Sequence, residues 1–142
     1  MPALEGLEIH QLCDKPELIP EVAKWFWQEW PDVYRAFGQH SEADTAKYIT
    51  DCNQTRDKLP FLFVMTLNGQ CVASGGLDSQ DVPSGPYSKV SPWVVCMFTA
   101  PSFRRRGFAS RMFQHVCNYA FEHLKLPWLW LWTHGSCFIS SY

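Results

Sequence analysis

Apolar and polar residues recur with two different periods along this chain, and the two periods predict a mixture of strands and helices. Apolar runs and alternating patterns predict β-strands over residues 6–12, 61–67, 71–77, 93–99 and 128–132. Apolar positions at helical spacing predict helices over residues 16–29, 41–52 and 107–123. The predicted order of elements is therefore β-α-α-β-β-β-α-β.

Residues with special backbone preferences mark the ends of the predicted helices. Asp14 is placed to cap the first helix, whose first turn contains Pro16. Pro31 predicts that this helix ends or kinks near Glu29. Ser41 is followed three residues later by an acidic residue, a pattern that favours capping of the second helix.

Two connections between strands decide the predicted sheet. Asn68-Gly69 is typical of a type I′ turn, so the strands on either side of it should form an antiparallel hairpin. The strand, helix and strand between Trp93 and Trp132 should form a right-handed parallel crossover. A mixed sheet flanked by helices follows, which belongs to the α/β or α+β class.

Length and composition narrow the class of protein. With 142 residues, of which 46% are hydrophobic and 18% charged, the chain is expected to form one globular domain over residues 1–142. Its net charge of −2 argues against nucleic acid as a partner. No apolar stretch reaches the ~20 residues that a membrane span needs. We expect no membrane partner and a cytoplasmic or, alternatively, a nuclear protein.

The cysteines show no pair at the spacing of metal ligands or redox motifs, so the sequence predicts no metal site. Reduced thiols in an intracellular compartment are the expectation. The six cysteines are Cys13, Cys52, Cys71, Cys96, Cys117 and Cys137.

The segment between the strand at 93–99 and the helix at 107–123 contains the candidate chemistry. A turn with Pro101 leads into Arg104-Arg105-Arg106 and then Gly107, where the helical pattern begins. Helix N-termini leave backbone N–H groups unpaired and carry partial positive charge, and arginine presents forked donors to phosphate oxygens. Glycine lets a ligand approach the backbone. The segment predicts a pyrophosphate site, and a solvated arginine turn is the alternative.

Other phosphate-binding patterns are missing from the sequence. No G-x-x-x-x-G-K-[ST] stretch exists, which argues against a P-loop. No G-x-G-x-x-G follows the first strand, which argues against a Rossmann dinucleotide site. A nucleic-acid-binding turn would need a longer basic tract than these arginines provide.

Arg104-x-x-Gly107-x-Ala109 resembles the [Q/R]-x-x-G-x-[G/A] signature of the GNAT N-acetyltransferase superfamily. The preceding Met97-x-Thr99-x-Pro101 looks like that family's strand end and turn, and the predicted order of elements also fits. The resemblance covers about residues 6–132. It implies a GNAT-like acyl-CoA N-acyltransferase fold and an enzyme that transfers an acetyl group from acetyl-CoA to an amine.

The resemblance also implies where acetyl-CoA would bind. Its pyrophosphate would lie on the turn and the helix start, and its pantetheine arm would pair with the strand end where two parallel strands part. The positions carried over are Met97, Phe98, Thr99, Arg104, Arg105, Arg106, Gly107, Phe108, Ala109 and Ser110.

By the same resemblance, the amine attacks the thioester directly, which requires a base, oxyanion donors and an acid. The expected oxyanion donors are backbone N–H groups near Phe98. Counting forward from Leu131 by the family's spacing reaches Tyr142, which is the predicted acid. A water relay is one alternative for the base, and the candidates by location are Glu29, Asp32, Asp78 and His134.

The acceptor amine, from a small molecule or a protein, is expected to bind beside the first helices. Aromatic residues there are candidates to line its site, and core packing is the alternative for them. Of these, Trp30 and Tyr34 are better placed for a pocket because they flank Pro31. The full set is Trp25, Phe26, Trp27, Trp30 and Tyr34.

Members of this family continue past the last predicted strand with the rest of a helix and further strands, whereas this sequence stops at Tyr142. Trp128–Trp132 is apolar on both faces, so we expect an uncovered edge and self-association through it. The expectation is an incomplete domain with its cofactor half present. The alternative function is a truncated, non-catalytic CoA-binding or interaction protein.

Overall fold

The computed structural model describes residues 4–81, 85–132 and 136–140. The strands are β1 (Leu7–Gln11), β2 (Phe61–Leu67), β3 (Gln70–Asp78), β4 (Trp93–Thr99), β5 (Trp128–Trp132) and β6 (Ser136–Ser140). The helices are α1 (Ile19–Glu29), α2 (Pro31–Ala36), α3 (Glu42–Cys52) and α4 (Phe108–Asn118). Short 3₁₀ turns cover Leu12–Asp14, Pro16–Leu18 and Pro101–Phe103, and a π-helical turn, Tyr119–His123, continues α4.

The strands form one mixed sheet in the order β1-β2-β3-β4-β5-β6. Neighbouring strands are antiparallel except β4 and β5, which are parallel and are connected through α4. The predicted hairpin is confirmed, since Leu67 and Gln70 close the β2–β3 pair around Asn68-Gly69. The predicted mixed α/β architecture is confirmed as well.

Helices cover both faces of the sheet, which explains why β2 is apolar at every position except the buried Thr66. Leu62 and Val64 point into a core shared with α1, α2 and α3. Phe61 and Phe63 point into a second core beneath α4. Alternate side chains of a strand project to opposite faces, so a strand with two covered faces needs apolar residues throughout. Helix α4 contributes buried residues one turn apart, namely Phe108, Met112 and Val116.

The helix starts differ in how well the sequence predicted them. Ser41 caps α3 as predicted, because its Oγ accepts a hydrogen bond of 3.1 Å from the Asp44 N–H. The prediction for Asp14 is wrong: it ends a 3₁₀ turn, and α1 begins only at Ile19 without a side-chain cap. Helix α1 ends at Glu29 as predicted, but Pro31 then begins α2, because proline is well suited to a first helical position.

The structure contains a strand after β5 that the sequence analysis did not predict. Ser136–Ser140 pairs antiparallel with all of Trp128–Trp132, so β5 lies between β4 and β6. The expectation that β5 has an uncovered edge is therefore wrong, and so is the basis for self-association through that edge. The expectation that the sheet stops at β5 is wrong for the same reason.

Candidate functional site

The parallel strands β4 and β5 part soon after they meet. Their pairing is limited to Trp93 with Trp130 and Val94 with Leu131. Beyond Val94, β4 keeps only β3 as a neighbour. Backbone groups on the other edge of β4 then face a gap, where they need hydrogen-bond partners from outside the sheet.

A β-bulge in β4 lies at the beginning of this gap. Ser74 pairs with Phe98 and Gly76 with Val95, so β4 contains one more residue than β3 between these pairs. Cys96 in the bulge has a φ of 56°, and its carbonyl accepts a hydrogen bond of 2.9 Å from Ser74 Oγ. The bulge changes the direction of β4 where it separates from β5.

A glycine opposite the bulge lets α4 pack closely against the sheet. A Cβ at Gly75 would lie 2.7 Å from Met97 Sδ and 2.8 Å from Met112 Cγ. Both distances are shorter than real Cβ contacts, so any larger residue would have to push the Met97 and Met112 side chains aside. The small residue at this position therefore supports the shape of the gap.

The orientation of the β4 backbone follows from its bonds to β3. The Ala100 N–H donates to the Val72 carbonyl at 2.9 Å, so this amide points toward β3. Since successive amides of a strand alternate in direction, those of Thr99 and Met97 face the gap and that of Phe98 faces β3. The sequence analysis assigned oxyanion donors near Phe98, and the neighbouring amides are the ones with the required direction.

The turn after β4 exposes a helix N-terminus. Arg105 and Gly107 have φ values of 65° and 82°, and Gly107 is the N-cap of α4 without a side-chain capping bond. Left-handed residues in a turn create concave sets of N–H groups that bind anions, and glycine adopts this conformation without strain. Ala109 and Ser110 are exposed in the first turn of α4, whereas Phe108 is buried in the core.

The three arginines of the turn are exposed, and two of them are held over aromatic rings. The Arg104 guanidinium lies 5.4 Å from the Phe98 ring centroid, and its Nε donates to the Thr99 carbonyl at 2.9 Å. Arg106 lies 5.4 Å from the ring of Phe103. Within the described ranges, none of the three arginines forms an ion pair with a carboxylate. Their positive charge is therefore available to an anion.

A cavity of about 450 Å³ occupies the gap between β4 and β5 and extends to the end of α1 and to α2. The predicted acceptor residues Trp30 and Tyr34 line it, whereas Trp25 and Phe26 are buried in the core. Trp27 packs under Arg35, whose guanidinium lies 5.2 Å from the indole. The lining residues are Trp30, Val33, Tyr34, Asp81, Val94, Val95, Cys96, Met97, Leu131 and Trp132.

Tyr34 and Cys96 face each other at the cavity wall, with Tyr34 Oη 3.9 Å from Cys96 Sγ. Burial raises the pKa of the Tyr34 phenol and raises the pKa of the Cys96 thiol to about 12. Both groups are therefore neutral at physiological pH.

The carboxylate in this cavity is Asp81, which the sequence analysis missed. Burial raises the pKa of Asp81, and the negative charge of Asp78 raises it further. Asp78, a predicted base candidate, lines an adjacent cavity of about 300 Å³ together with Asp81. Of the other candidates, Asp32 is exposed and pairs with Arg35 at 3.4 Å, and Glu29 is exposed at the end of α1. Neither lines the cavity.

Two predicted residues, His134 and Tyr142, lie outside the described residues. Within the described residues, no helix has the length and apolar character of a membrane span. The same ranges contain no group of three or more His, Cys, Asp and Glu side chains arranged to hold a metal ion.

The mixed sheet has two parallel strands that part, and the first of them leads into a basic turn and an exposed helix start. This arrangement is typical of an acyltransferase-type α/β domain. The model of the acetyltransferase (GNAT) family matches residues 19–136, so this chain belongs to that family. No curated protein matches the chain at a significant level.

Solved structures show the same fold at low sequence identity. A predicted acetyltransferase of Clostridium acetobutylicum, solved with acetyl-CoA, matches with a TM-score of 0.56 and 16% identity over 89% of this chain and 80% of that one. An aminoglycoside N-acetyltransferase, AAC(6′)-Iy, solved with CoA, matches with a TM-score of 0.59 and 18% identity over 87% and 74%. A spermidine N-acetyltransferase chimera from Vibrio cholerae and hSSAT matches with a TM-score of 0.60 and 18% identity over 89% and 70%.

Proposed function

We propose that this chain is an acetyl-CoA-dependent N-acetyltransferase whose single domain binds the cofactor along β4 and the start of α4. The observation that carries the proposal is the continuity of the gap, the bulged strand and the basic turn. Within a few residues, the chain presents outward amides of a strand, three exposed arginines and an uncapped helix start. An amide-bearing arm that ends in a pyrophosphate matches this series of groups.

Each part of the segment has a distinct task in this proposal. The outward backbone groups of Thr99 pair with the pantetheine arm, and the Met97 amide faces its thioester end. The N–H groups from Gly107 to Ser110 bind the pyrophosphate, with charge from Arg105 and Arg106. Because Arg104 is tied to the Thr99 carbonyl and the Phe98 ring, it fixes the turn relative to the strand as well as adding charge. Phe108 contributes through its backbone, since its side chain is buried.

The backbone at the start of α4 supports a pyrophosphate site there as much as the charges of the arginines do. Gly107 has a φ of 82°, and a Cβ built on it meets nothing within 4 Å, so open space lies in front of the helix start. The two relatives solved with acetyl-CoA or CoA bind those ligands on the same fold. The open space before Gly107 and the positive charge of the arginines both suit a bound pyrophosphate.

The transfer consumes one amine and one thioester and gives an amide and a thiol. The amine nitrogen forms a bond to the carbonyl carbon, and the carbon–sulfur bond breaks. An ammonium acceptor loses two protons in all, of which one ends on the CoA sulfur and one reaches solvent through the base. The N–H of Met97, which faces the gap beside the bulge, stabilises the negative charge that develops on the thioester carbonyl oxygen.

Calorimetry with CoA and acetyl-CoA tests the cofactor site, comparing wild type with Gly107→Trp. The large side chain would fill the space in front of the helix start, so we expect affinity to fall at least ~100-fold, which is about 2.7 kcal/mol. Gly69→Trp is the matched control, because Gly69 has a φ of 83° and equally open surroundings, but lies in the β2–β3 turn. Circular dichroism checks that both variants fold.

Turnover is measured separately, as amine-dependent formation of free CoA and acetylated product by chromatography. Tight CoA binding with no acetylation of any primary amine would contradict the enzyme and support a CoA-binding protein instead. Loss of CoA binding in Gly69→Trp as severe as in Gly107→Trp would contradict the proposed position of the cofactor.

A further inference from the structure

We propose that the 450 Å³ cavity selects a small monoamine with one flat apolar group, such as an arylalkylamine, and binds its ammonium group at Asp81. This inference rests on the proposed function and adds the class of acceptor.

The charge of the cavity favours an acceptor with one positive charge. Among the described residues that line it, Asp81 is the one carboxylate, and none is a lysine, arginine or histidine. A polyamine or an aminoglycoside brings several ammonium groups, and each needs its own acceptors once water is displaced. A single carboxylate can satisfy one ammonium group. The remaining charges of a polycation would stay unpaired.

Asp78 accepts hydrogen bonds within its own loop, whereas Asp81 accepts none from the residues that the structure describes. Asp78 Oδ1 accepts from the Gln80 N–H at 3.2 Å and from Ser79 Oγ at 3.4 Å. In the described part of the chain, Asp81 accepts no hydrogen bond and has no Lys, Arg or His within ion-pair distance. A partly buried carboxylate without a partner is costly, and an ammonium ligand would relieve that cost.

Large apolar side chains are concentrated around Asp81. Six such side chains are exposed in the described residues, and four of them line the two cavities that share Asp81. These four are Val33, Phe37, Tyr48 and Trp132. Exposed apolar side chains gathered around cavities that contain carboxylates are typical of a ligand site rather than of ordinary surface.

The walls of the cavity suit a flat group. Trp30 and Tyr34 come from one side, and Trp132, which is 49% exposed, comes from β5 on the other. Aromatic rings bind flat apolar groups by stacking and attract an ammonium through their faces. The volume of 450 Å³ lies within the range of about 300–1,000 Å³ typical of small-molecule sites.

Asp81 is also placed to act as the base. After binding the ammonium, its carboxylate accepts the first proton, so that an N–H bond breaks and an O–H bond forms before the nitrogen attacks the thioester. Burial and the Asp78 charge raise the pKa of Asp81, which makes it a better proton acceptor than an exposed aspartate.

The test measures ligand binding by tryptophan fluorescence near neutral pH, with and without saturating CoA. The probes are 2-phenylethylamine, its neutral analogue 2-phenylethanol, and spermidine. Wild type is expected to bind the arylalkylamine at least ~10-fold more tightly than the alcohol or spermidine, or about 1.4 kcal/mol. Asp81→Asn is expected to bind amine and alcohol equally. Asp51→Asn, which removes an exposed acid paired with Lys47 on α3, is the control and should resemble wild type.

The results separate this inference from the proposed function. Stronger binding of spermidine than of 2-phenylethylamine overturns the inference, as does an unchanged preference for the amine in Asp81→Asn. Either result can occur while CoA binds normally, in which case the proposed function stands. Failure of CoA to bind overturns the proposed function, while the amine titration without CoA still decides the inference.

Discussion

Two aspartates, Asp57 and Asp81, lie in loops beside the sheet and have contrasting surroundings. Asp57 accepts hydrogen bonds from Gln11 Nε2 at 2.8 Å and from the Tyr119 hydroxyl, and it pairs with His123 Nε2 at 3.4 Å. Asp81 has no such donor or cation in the described part of the chain and faces a cavity lined by aromatic residues.

The two environments change the two pKa values in opposite directions. Burial pushes the pKa of Asp57 upward, but hydrogen bonds from Tyr119, Gln11 and His123 outweigh it and lower the pKa overall. Burial raises the pKa of Asp81 with no donor to oppose it. The charge of Asp57 is therefore part of the fold, joining β1 to the end of α4. The charge of Asp81 is a cost that a ligand can offset.

Asp81→Asn should produce the largest change. If Asp81 binds and deprotonates the acceptor, kcat/KM for an arylalkylamine should fall by ~100-fold or more. The melting temperature should stay the same or rise, because a poorly solvated charge has been removed. Steady-state kinetics and calorimetric melting measure the two effects. A large drop in melting temperature would assign Asp81 to the fold instead.

Asp57→Ala should lower stability and leave ligand binding unchanged, and this change should be smaller than the loss of activity in Asp81→Asn. Three donors lose their acceptor, which should lower the free energy of unfolding by about 1–2 kcal/mol, the lower part of the range for charged hydrogen bonds. The lower part applies because the Asp57 side chain is 35% exposed. Urea unfolding measures this change. Affinities for CoA and for the amine should remain within about twofold, and a loss comparable to that of Asp81→Asn would break the comparison.

The pH dependence of stability should have opposite signs for the two aspartates. The folded-state pKa of Asp57 is lowered, so its contribution is present above the unfolded-state pKa, near 3.8, and is lost as pH falls through the folded value. The folded-state pKa of Asp81 is raised, so its ionisation destabilises the fold at neutral pH and protonation relieves this as pH falls.

Unfolding curves of wild type, Asp57→Asn and Asp81→Asn from neutral to acid pH measure these signs. The deficit of Asp57→Asn should shrink toward acid, and the advantage of Asp81→Asn should also shrink toward acid. An advantage for Asp81→Asn that grows as pH falls would contradict the environment described for this residue.

The smallest effects should come from two tyrosines. Tyr119→Phe removes the hydroxyl that donates to Asp57 and should cost about 0.5–1.5 kcal/mol of unfolding free energy. Among the described residues, the one hydrogen-bond partner of the Tyr34 hydroxyl is the Cys96 thiol at 3.9 Å, so Tyr34→Phe should cost less than about 0.5 kcal/mol. Parallel urea titrations compare them. Equal costs would mean that the contact between Tyr34 and Cys96 is stronger than its length implies.

Much of the fold was predictable because local patterns and tertiary contacts agree. The apolar runs of β2, β3 and β4 are strands, of which β2 and β3 are largely buried, and the Asn68-Gly69 turn joins these two. Helix α2 was missed because Pro31 both ends one helix and begins the next. Strand β6 was missed because its five residues give no strong pattern of their own, and they form a strand through their pairing with β5.

The two halves of the candidate site also differ in how far the sequence predicts them. The cofactor half is a continuous segment from β4 to α4, so the spacing of Thr99, Pro101, the arginines and Gly107 is visible in the sequence. The acceptor half brings together Trp30, Asp81 and Trp132 from distant parts of the chain. No pattern around Asp81 distinguishes it from other acids in polar loops.

The amino-acid sequence alone was sufficient to specify the class of fold, the turn and the helix start that would hold a pyrophosphate. These features depend on residues that are neighbours along the chain, where periodicity and glycine conformation act directly. The bulge at Cys96, the pairing of β5 with β6 and the position of Asp81 in a cavity beside Trp30 and Trp132 were set by packing between distant segments. Whether a carboxylate supports the fold or binds a ligand depends on which donors the folded chain brings to it, and those donors come from elsewhere in the sequence.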